Sequence, residues 1–184
     1  MPSPGQLLDM PERFKTWYPG QEDAFKHLMR WLVGPKRFFC LPPPTGGGKS
    51  ALGMLTAVVG DRWAAALTVT KGLQVQLTKD FSQIGLVDIR GKNNYICLED
   101  PTVNVDDGPC TLPGVKCPRK ANGCTYYDAL RAAMNSTKIV TNYAYFLAQE
   151  EHSEDGVGGR DLLICDEAHL IFRALESYFG VNIT

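Results

Sequence analysis

Apolar positions recur along this chain with two periods, and the alternation between them predicts its elements. Over residues 21–33, Ala24, Phe25, Leu28, Trp31 and Leu32 fall on one face at helical spacing. Arg37–Leu41 (RFFCL) is a short apolar run rich in aromatics that stops at three prolines, which reads as a buried strand. Lys49–Val59 reads as a helix, Ala64–Thr70 as a second strand, and Gly72–Phe81 as another helix, with Leu73, Leu77 and Phe81 spaced by four. The order strand, glycine-rich turn, helix, strand, helix predicts βαβ units and a parallel sheet, hence an α/β fold.

The rhythm breaks between about Asn94 and Asn122, a stretch with scattered turn residues and no apolar period. A structureless loop of that length inside a compact domain needs something else to order it. The pattern then resumes with helical Thr125–Met134, strand Lys138–Thr141 and helical Tyr143–Gln149. A polar, glycine-rich loop follows, and Leu162–Cys165 forms an apolar strand ending at Asp166. The division expected is residues 1–93 with 125–184 as one domain, and 94–124 as an insertion.

Composition narrows the class. The chain has 184 residues, 44% of them hydrophobic, enough for one core. Nineteen Lys and Arg against 20 Asp and Glu leave a formal charge of −1, which excludes a polybasic coat but not a local basic groove. The longest apolar run, Tyr143 to Ala148, is six residues, against the roughly 20 that span a bilayer. No basic region followed by an apolar stretch opens the chain. The expectation is a soluble cytoplasmic domain, nuclear in a eukaryote, with no membrane partner.

The RFFCL run leads into PPPTGGGKS and then a helix. Against the phosphate-loop pattern G-x-x-x-x-G-K-[ST], Pro43 replaces the first glycine while Gly48, Lys49 and Ser50 match. The N–H groups that would cradle phosphates run from Thr45 through Gly46, Gly47, Gly48 and Lys49 to Ser50, downstream of the prolines. In such loops the lysine reaches the β- and γ-phosphates of ATP and the hydroxyl ligates Mg²⁺. The second half of such a site is an acid at the end of another apolar strand, and Asp166-Glu167-Ala168-His169 supplies it. Asp166 stands where an aspartate would hold the Mg²⁺ shell, Glu167 where a base would orient the attacking water, and His169 where it could sense the γ-phosphate.

Cys97, Cys110, Cys117 and Cys124 are separated by twelve, six and six residues in the segment that lacks apolar pattern. Four thiols there point to a metal that replaces a missing core. Zinc sites usually show short C-x₂₋₄-C pairs, and there is none here. The spacing alone still leaves a [4Fe–4S] cluster and zinc near parity, with two disulfides and a coincidental scatter as the other readings. Cys40 and Cys165 fall in the expected core strands, where a free cysteine acts as a small hydrophobe.

Taken together, the motifs resemble the iron–sulfur DEAH-box helicases of superfamily 2, the XPD/DinG group, from Tyr18 to His169. Tyr18-Pro19-Gly20-Gln21 is similar to the family's Y-P-x-Q, and Thr68-Val69-Thr70 with Leu73, Gln74 and Gln76 to its motif Ia. Arg90-Gly91-Lys92-Asn93-Asn94-Tyr95-Ile96-Cys97 resembles the entry to the cluster, with Lys92 where the family commonly has Arg. Cys124-Thr125-Tyr126-Tyr127 looks like the last cluster ligand, and Ile139-Val140-Thr141-Asn142-Tyr143 like the segment before the DEAH strand.

The resemblance implies a RecA-like first motor domain with a [4Fe–4S] cluster on the four cysteines and ATP-driven 5′→3′ unwinding of DNA. It also implies a second RecA-like domain, in the same longer chain or another subunit, to supply arginine fingers. Gln21 and Tyr18 would lie near adenine. Thr70, Lys71 and Gln74 are candidates for phosphate contacts with single-stranded DNA, and Tyr95 and Tyr143 for stacking on its bases, although Tyr143 reads equally as core. Two other readings stay open: a non-catalytic P-loop module that binds nucleotide and nucleic acid, and a zinc-containing P-loop NTPase.

Overall fold

The computed structural model describes residues 1–41, 48–153, 157 and 159–180. Four strands form one all-parallel sheet: β1 (Ala64–Thr68), β2 (Leu86–Asp88), β3 (Lys138–Asn142) and β4 (Leu162–Cys165), in the order β2-β3-β1-β4. β1 pairs on one side with β3, Ala64 opposite Lys138, and on the other with β4, Ala64 opposite Leu162. All five residues of β1 are buried, as expected of a parallel strand covered on both faces.

Strand alternation sorts the core into two layers. Ala66, Leu86, Val140 and Ile164 point to one face, where they meet α2 (Gln21–Leu32), α3 (Lys49–Val59) and α4 (Lys71–Phe81) through Phe25, Leu52, Leu55, Leu77 and Phe81. The short N-terminal helix α1 (Pro4–Leu7) packs on α3 in the same layer. Ala65, Leu67 and Ile139 point the other way, toward α5 (Thr125–Asn135) and α6 (Tyr143–His152), with Ile171 and Ala174 of α7 (Ile171–Phe179) at the margin. The α/β class and the all-parallel sheet therefore follow the periodic reading. Among the described residues no helix is long and apolar enough to cross a membrane.

Side chains fix where the helices begin. Thr70 caps α4 by accepting the Leu73 N–H at 3.3 Å, and Asn142 caps α6 by accepting the Tyr145 N–H at 2.8 Å. Arg160 anchors the approach to β4, donating to the carbonyls of Ala133 (2.7 Å), Ser136 (2.6 Å) and Val157 (2.7 Å) beside the Trp63 ring. Burial lowers its guanidinium from the usual range, opposed in part by the charge of Glu150.

The first expected strand does not form. Arg37–Leu41 makes no strand among the described residues. Its alternation survives: Phe39 packs against Trp31 and Leu41 against the first core layer, while Phe38 is 87% exposed and Cys40 exposed. A strand needs a neighbour for its backbone, and among the described residues the sheet ends at β4. At that edge Leu163 is 45% exposed and Cys165 is also exposed, so neither Cys40 nor Cys165 is the core residue expected.

The long segment between Asn94 and Asn122 is more ordered than its composition predicts. An isolated bridge joins Ile96 to Asn104, with Cys97 N donating to Val103 O and Val105 N to Tyr95 O. Val105 is 1% exposed and joins Cys97, Cys124 and Tyr126 in the second core layer. Residues 111–116 are all exposed, and their hydrogen bonds are local turn contacts such as Thr111 N to Gly108 O at 3.0 Å.

Candidate nucleotide site

In a parallel sheet every strand ends at the same edge, and residues just past those ends converge there. Here that edge collects Thr70 after β1, Tyr143 after β3 and Asp166 after β4. The N-terminus of α3 meets the same edge, and a cleft of about 570 Å³ opens between them. Lys49 and Ser50 line it from α3, Asp166 and Glu167 from the end of β4, and Tyr18 and Gln21 from the entry to α2. Thr45, Gly46 and Gly47 lie outside the described residues.

Gly48 sits at the N-cap of α3 with φ 71°, in the left-handed region that favours glycine. A Cβ there would come within 2.4 Å of Gln21 Nε2. That contact joins the Y-P-x-Q segment to the phosphate loop: Gln21 donates from Nε2 to Gly48 O at 3.4 Å and accepts from Tyr18 N at 3.1 Å through Oε1. The amide is thus committed to backbone on both sides, and Gln21 is 6% exposed, which makes it a residue that positions the loop. Tyr18 is 58% exposed and remains available to a ligand.

Across the cleft, Asp166 N donates to Leu67 O at 3.0 Å, tying the acidic turn to β1. Glu167 adopts the left-handed conformation (φ 49°, ψ 46°), a backbone cost of about 1–2 kcal/mol for a residue with a Cβ. His169 Nδ1 lies 3.3 Å from Glu167 Oε2, so the histidine addresses the glutamate directly.

Tyr143 is 5% exposed, and its hydroxyl donates to Asp166 O at 2.8 Å. Burial, with Cys165 and the acidic pair nearby, holds the phenol far above its usual range. It belongs to the core and supports the acidic turn rather than presenting a ring to bases. Tyr143→Phe is expected to destabilise the fold by about 1 kcal/mol, read as a lowered thermal midpoint, and an unchanged midpoint would show that the bond holds nothing.

The residues suggested for nucleic acid divide. Lys71 and Thr70 are exposed at the sheet edge, with the Thr70 hydroxyl already used as a cap. Gln74 is 0% exposed and donates to Asp88 Oδ1 at 3.1 Å and Ile89 O at 3.4 Å, so its amide faces the interior, away from any strand. Tyr95 is half-buried, its hydroxyl accepts the Arg90 N–H at 3.2 Å, and its ring sits edge-on to Tyr126. Burial raises its phenol as well.

All six cysteines are free thiols. Cys97 and Cys124 are buried, and Cys110 and Cys117 half-buried. The Cys110 thiol is pushed up, first by burial and then by the thiols of Cys117, Cys97 and Cys124. A Cβ on Gly108 would approach Cys97 Sγ to 3.0 Å, so the backbone passes close to that sulfur. Among the described residues no three His, Cys, Asp or Glu side chains are already closed into a metal-binding group. The donor set still suits a thiophilic metal, because a bound cation would remove the electrostatic cost that four clustered thiols impose on one another.

Part of the cleft lies outside the motifs read from the sequence. Phe14, Lys15 and Thr16 form one wall, and Leu77 and Asp80 of α4, beside Gln76 of the motif Ia segment, form another. The α4 residues were detectable as its i, i+1, i+4 face, whereas nothing in the N-terminal sixteen residues signalled a wall. Compared with protein-family models, with curated proteins and with solved structures, the chain matches none.

Proposed function

We propose that this chain is an ATP-binding and ATP-hydrolysing RecA-like domain that acts on single-stranded DNA, the first motor domain of an iron–sulfur helicase. The observation that carries this reading is the placement of Gly48, Lys49 and Ser50 at a helix N-terminus across one cleft from Asp166 and Glu167. Lys49 neutralises charge on the β- and γ-phosphates, and Ser50 and Asp166 complete the shell of a Mg²⁺ ion. Glu167 orients the attacking water and takes its proton, and His169 fixes the carboxylate.

The described cations lining the cleft are Lys15 and Lys49, with no arginine among them. Charge developing on the transferred phosphoryl group therefore calls for a cation from a second RecA-like domain, and its lack costs about 10³–10⁵ in rate. Residues 1–184 alone are expected to bind Mg·ATP yet turn it over very slowly, with DNA-stimulated hydrolysis appearing when a second motor domain is added in trans. Brisk hydrolysis by a monomer of residues 1–184 would overturn the half-motor reading.

Cys97, Cys110, Cys117 and Cys124 would hold the [4Fe–4S] cluster, which when bound supplies a cross-link for the inserted segment. A strand of DNA lying along the sheet edge meets Lys71 and the α4 N-terminus at Thr70, with Tyr95 reachable at its exposed rim. Binding should favour single strands and weaken as salt rises, since a phosphate contact releases condensed counterions. Lys71→Ala is expected to lower affinity irrespective of base sequence and to reduce the salt slope by about 0.7. Equal affinity for duplex and single strand, with no effect of that substitution, would remove DNA from the reading.

A further inference from the structure

The cleft runs well past the phosphate end. α4 lines the same cavity as Lys49 from Leu73 to Phe81, eight residues or about 12 Å at 1.5 Å per residue. The volume of about 570 Å³ falls within the range of small-molecule sites, and the lining changes character along its length. Lys49 and Ser50 offer positive charge and N–H groups at one end. At the other, Phe14 stacks on Phe81 with centroids 5.4 Å apart and planes 7° from parallel, and Leu77 adds a buried apolar surface.

Lys15 and Asp80 are the charged groups that line that end, and Asp80 is fixed. Arg13 donates to Asp80 Oδ1 at 2.6 Å and to the Asp80 carbonyl at 2.8 Å, so the carboxylate cannot swing away. Its side chain is 29% exposed, and Oδ2 makes no hydrogen bond among the described residues. A carboxylate is an acceptor only, and Arg13 offsets its charge without occupying Oδ2. A nucleotide with its phosphates at Lys49 would bring a hydrogen-bond donor of its base to Asp80. Gln21, the residue that the sequence motif places beside the base, has both ends of its amide committed to backbone and leaves base reading to another group.

We propose that the Phe14–Asp80 end of the cleft is a nucleobase subsite, where Asp80 accepts a hydrogen bond from the exocyclic amino group of a purine. This rests on the nucleotide reading of the phosphate end, and the two are separable by experiment. Binding of three probes is measured on the intact 184-residue chain with Mg²⁺: ATP, purine riboside triphosphate (which lacks only the amino group), and tripolyphosphate. A hydrogen bond to a charged acceptor favours ATP over the amino-free analogue by about tenfold or more.

In Asp80→Ala that ratio should fall to about one, and in Asp80→Asn to an intermediate value, while tripolyphosphate binds all three proteins alike. The ratio is internal to each protein, so a general loss of stability does not mimic it, and the Asn variant keeps the side-chain shape if the Ala variant fails to fold. A parent ratio near one, or a ratio unchanged in both variants, overturns the subsite while leaving the phosphate site standing. Failure of tripolyphosphate to bind the parent, or binding indifferent to Lys49→Ala, overturns the phosphate site and the subsite with it.

Discussion

Replacing Lys49 with Ala is expected to weaken Mg·ATP binding by about a hundredfold or more, whereas Glu167→Gln should leave binding intact and remove the remaining turnover. The two residues face each other across one cleft but act at different stages. Lys49 meets phosphate charge in the ground state, and each charge-assisted hydrogen bond it makes is worth roughly 1.5–3 kcal/mol. Losing two weakens affinity by about a hundredfold or more. Glu167 is isosteric with Gln, keeps its carbonyl oxygen toward water, and loses only the capacity to accept a proton. Titration of a fluorescent nucleotide, paired with single-turnover hydrolysis, reads both. Equal binding by parent and Lys49→Ala would remove the phosphate site, and undiminished turnover by Glu167→Gln would move the base elsewhere.

Protein prepared without oxygen is expected to be brown and to carry four irons and four inorganic sulfides per chain, and Cys110→Ser or Cys117→Ser should lose both. The structure specifies where the consequence falls. Tyr95, Cys97, Val103 and Val105 hold one another through backbone hydrogen bonds, and Val105 is buried. Residues 111–116 are exposed and depend on the flanking cysteines. Limited proteolysis of the variants should therefore cut first between Cys110 and Cys117, leaving Tyr95–Val105 and the helix after the phosphate loop protected. Ligation requires thiolates, and burial with three neighbouring thiols holds Cys110 above its usual range. Protons thus compete with the metal, and loading should weaken as pH falls. Colourless protein with stoichiometric zinc would replace the cluster by a zinc site, and cleavage identical to the parent would deny any metal a role in ordering the segment.

Much of the scaffold was legible because two strong periodicities meet at few ambiguous places. α3 and β4 fall on the expected Lys49–Val59 and Leu162–Cys165, where a glycine-rich turn and an acidic turn mark their ends. The reading failed where the deciding partner is remote in sequence. RFFCL has the alternation of a strand, yet an isolated extended segment gains nothing from alternation without a backbone neighbour. β2 spans only three residues, too short for any pattern to register. Gln74 looks like a surface residue by type, and only its partners Asp88 and Ile89, more than a dozen positions away, show why it is buried. In the site, contiguous motifs were readable and the walls were not. Phe14 and Asp80 come together through a stack with Phe81 and a clasp from Arg13, and no local spacing announces that meeting.

The outer edge of β4 governs how this chain behaves in a tube. Among the described residues β4 pairs with no strand on its outer side, and an edge strand with an exposed Leu163 is a template for another strand. The exposed Phe38 ring adds a second apolar surface. Charge offers little opposition, because the chain carries a formal −1 and reaches neutrality near pH 6.3, where colloidal repulsion vanishes. Exposed Cys40 and Cys165 then make any such encounter permanent under air. Slightly alkaline buffer, a thiol reductant and low protein concentration are the conditions under which residues 1–184 stay monodisperse.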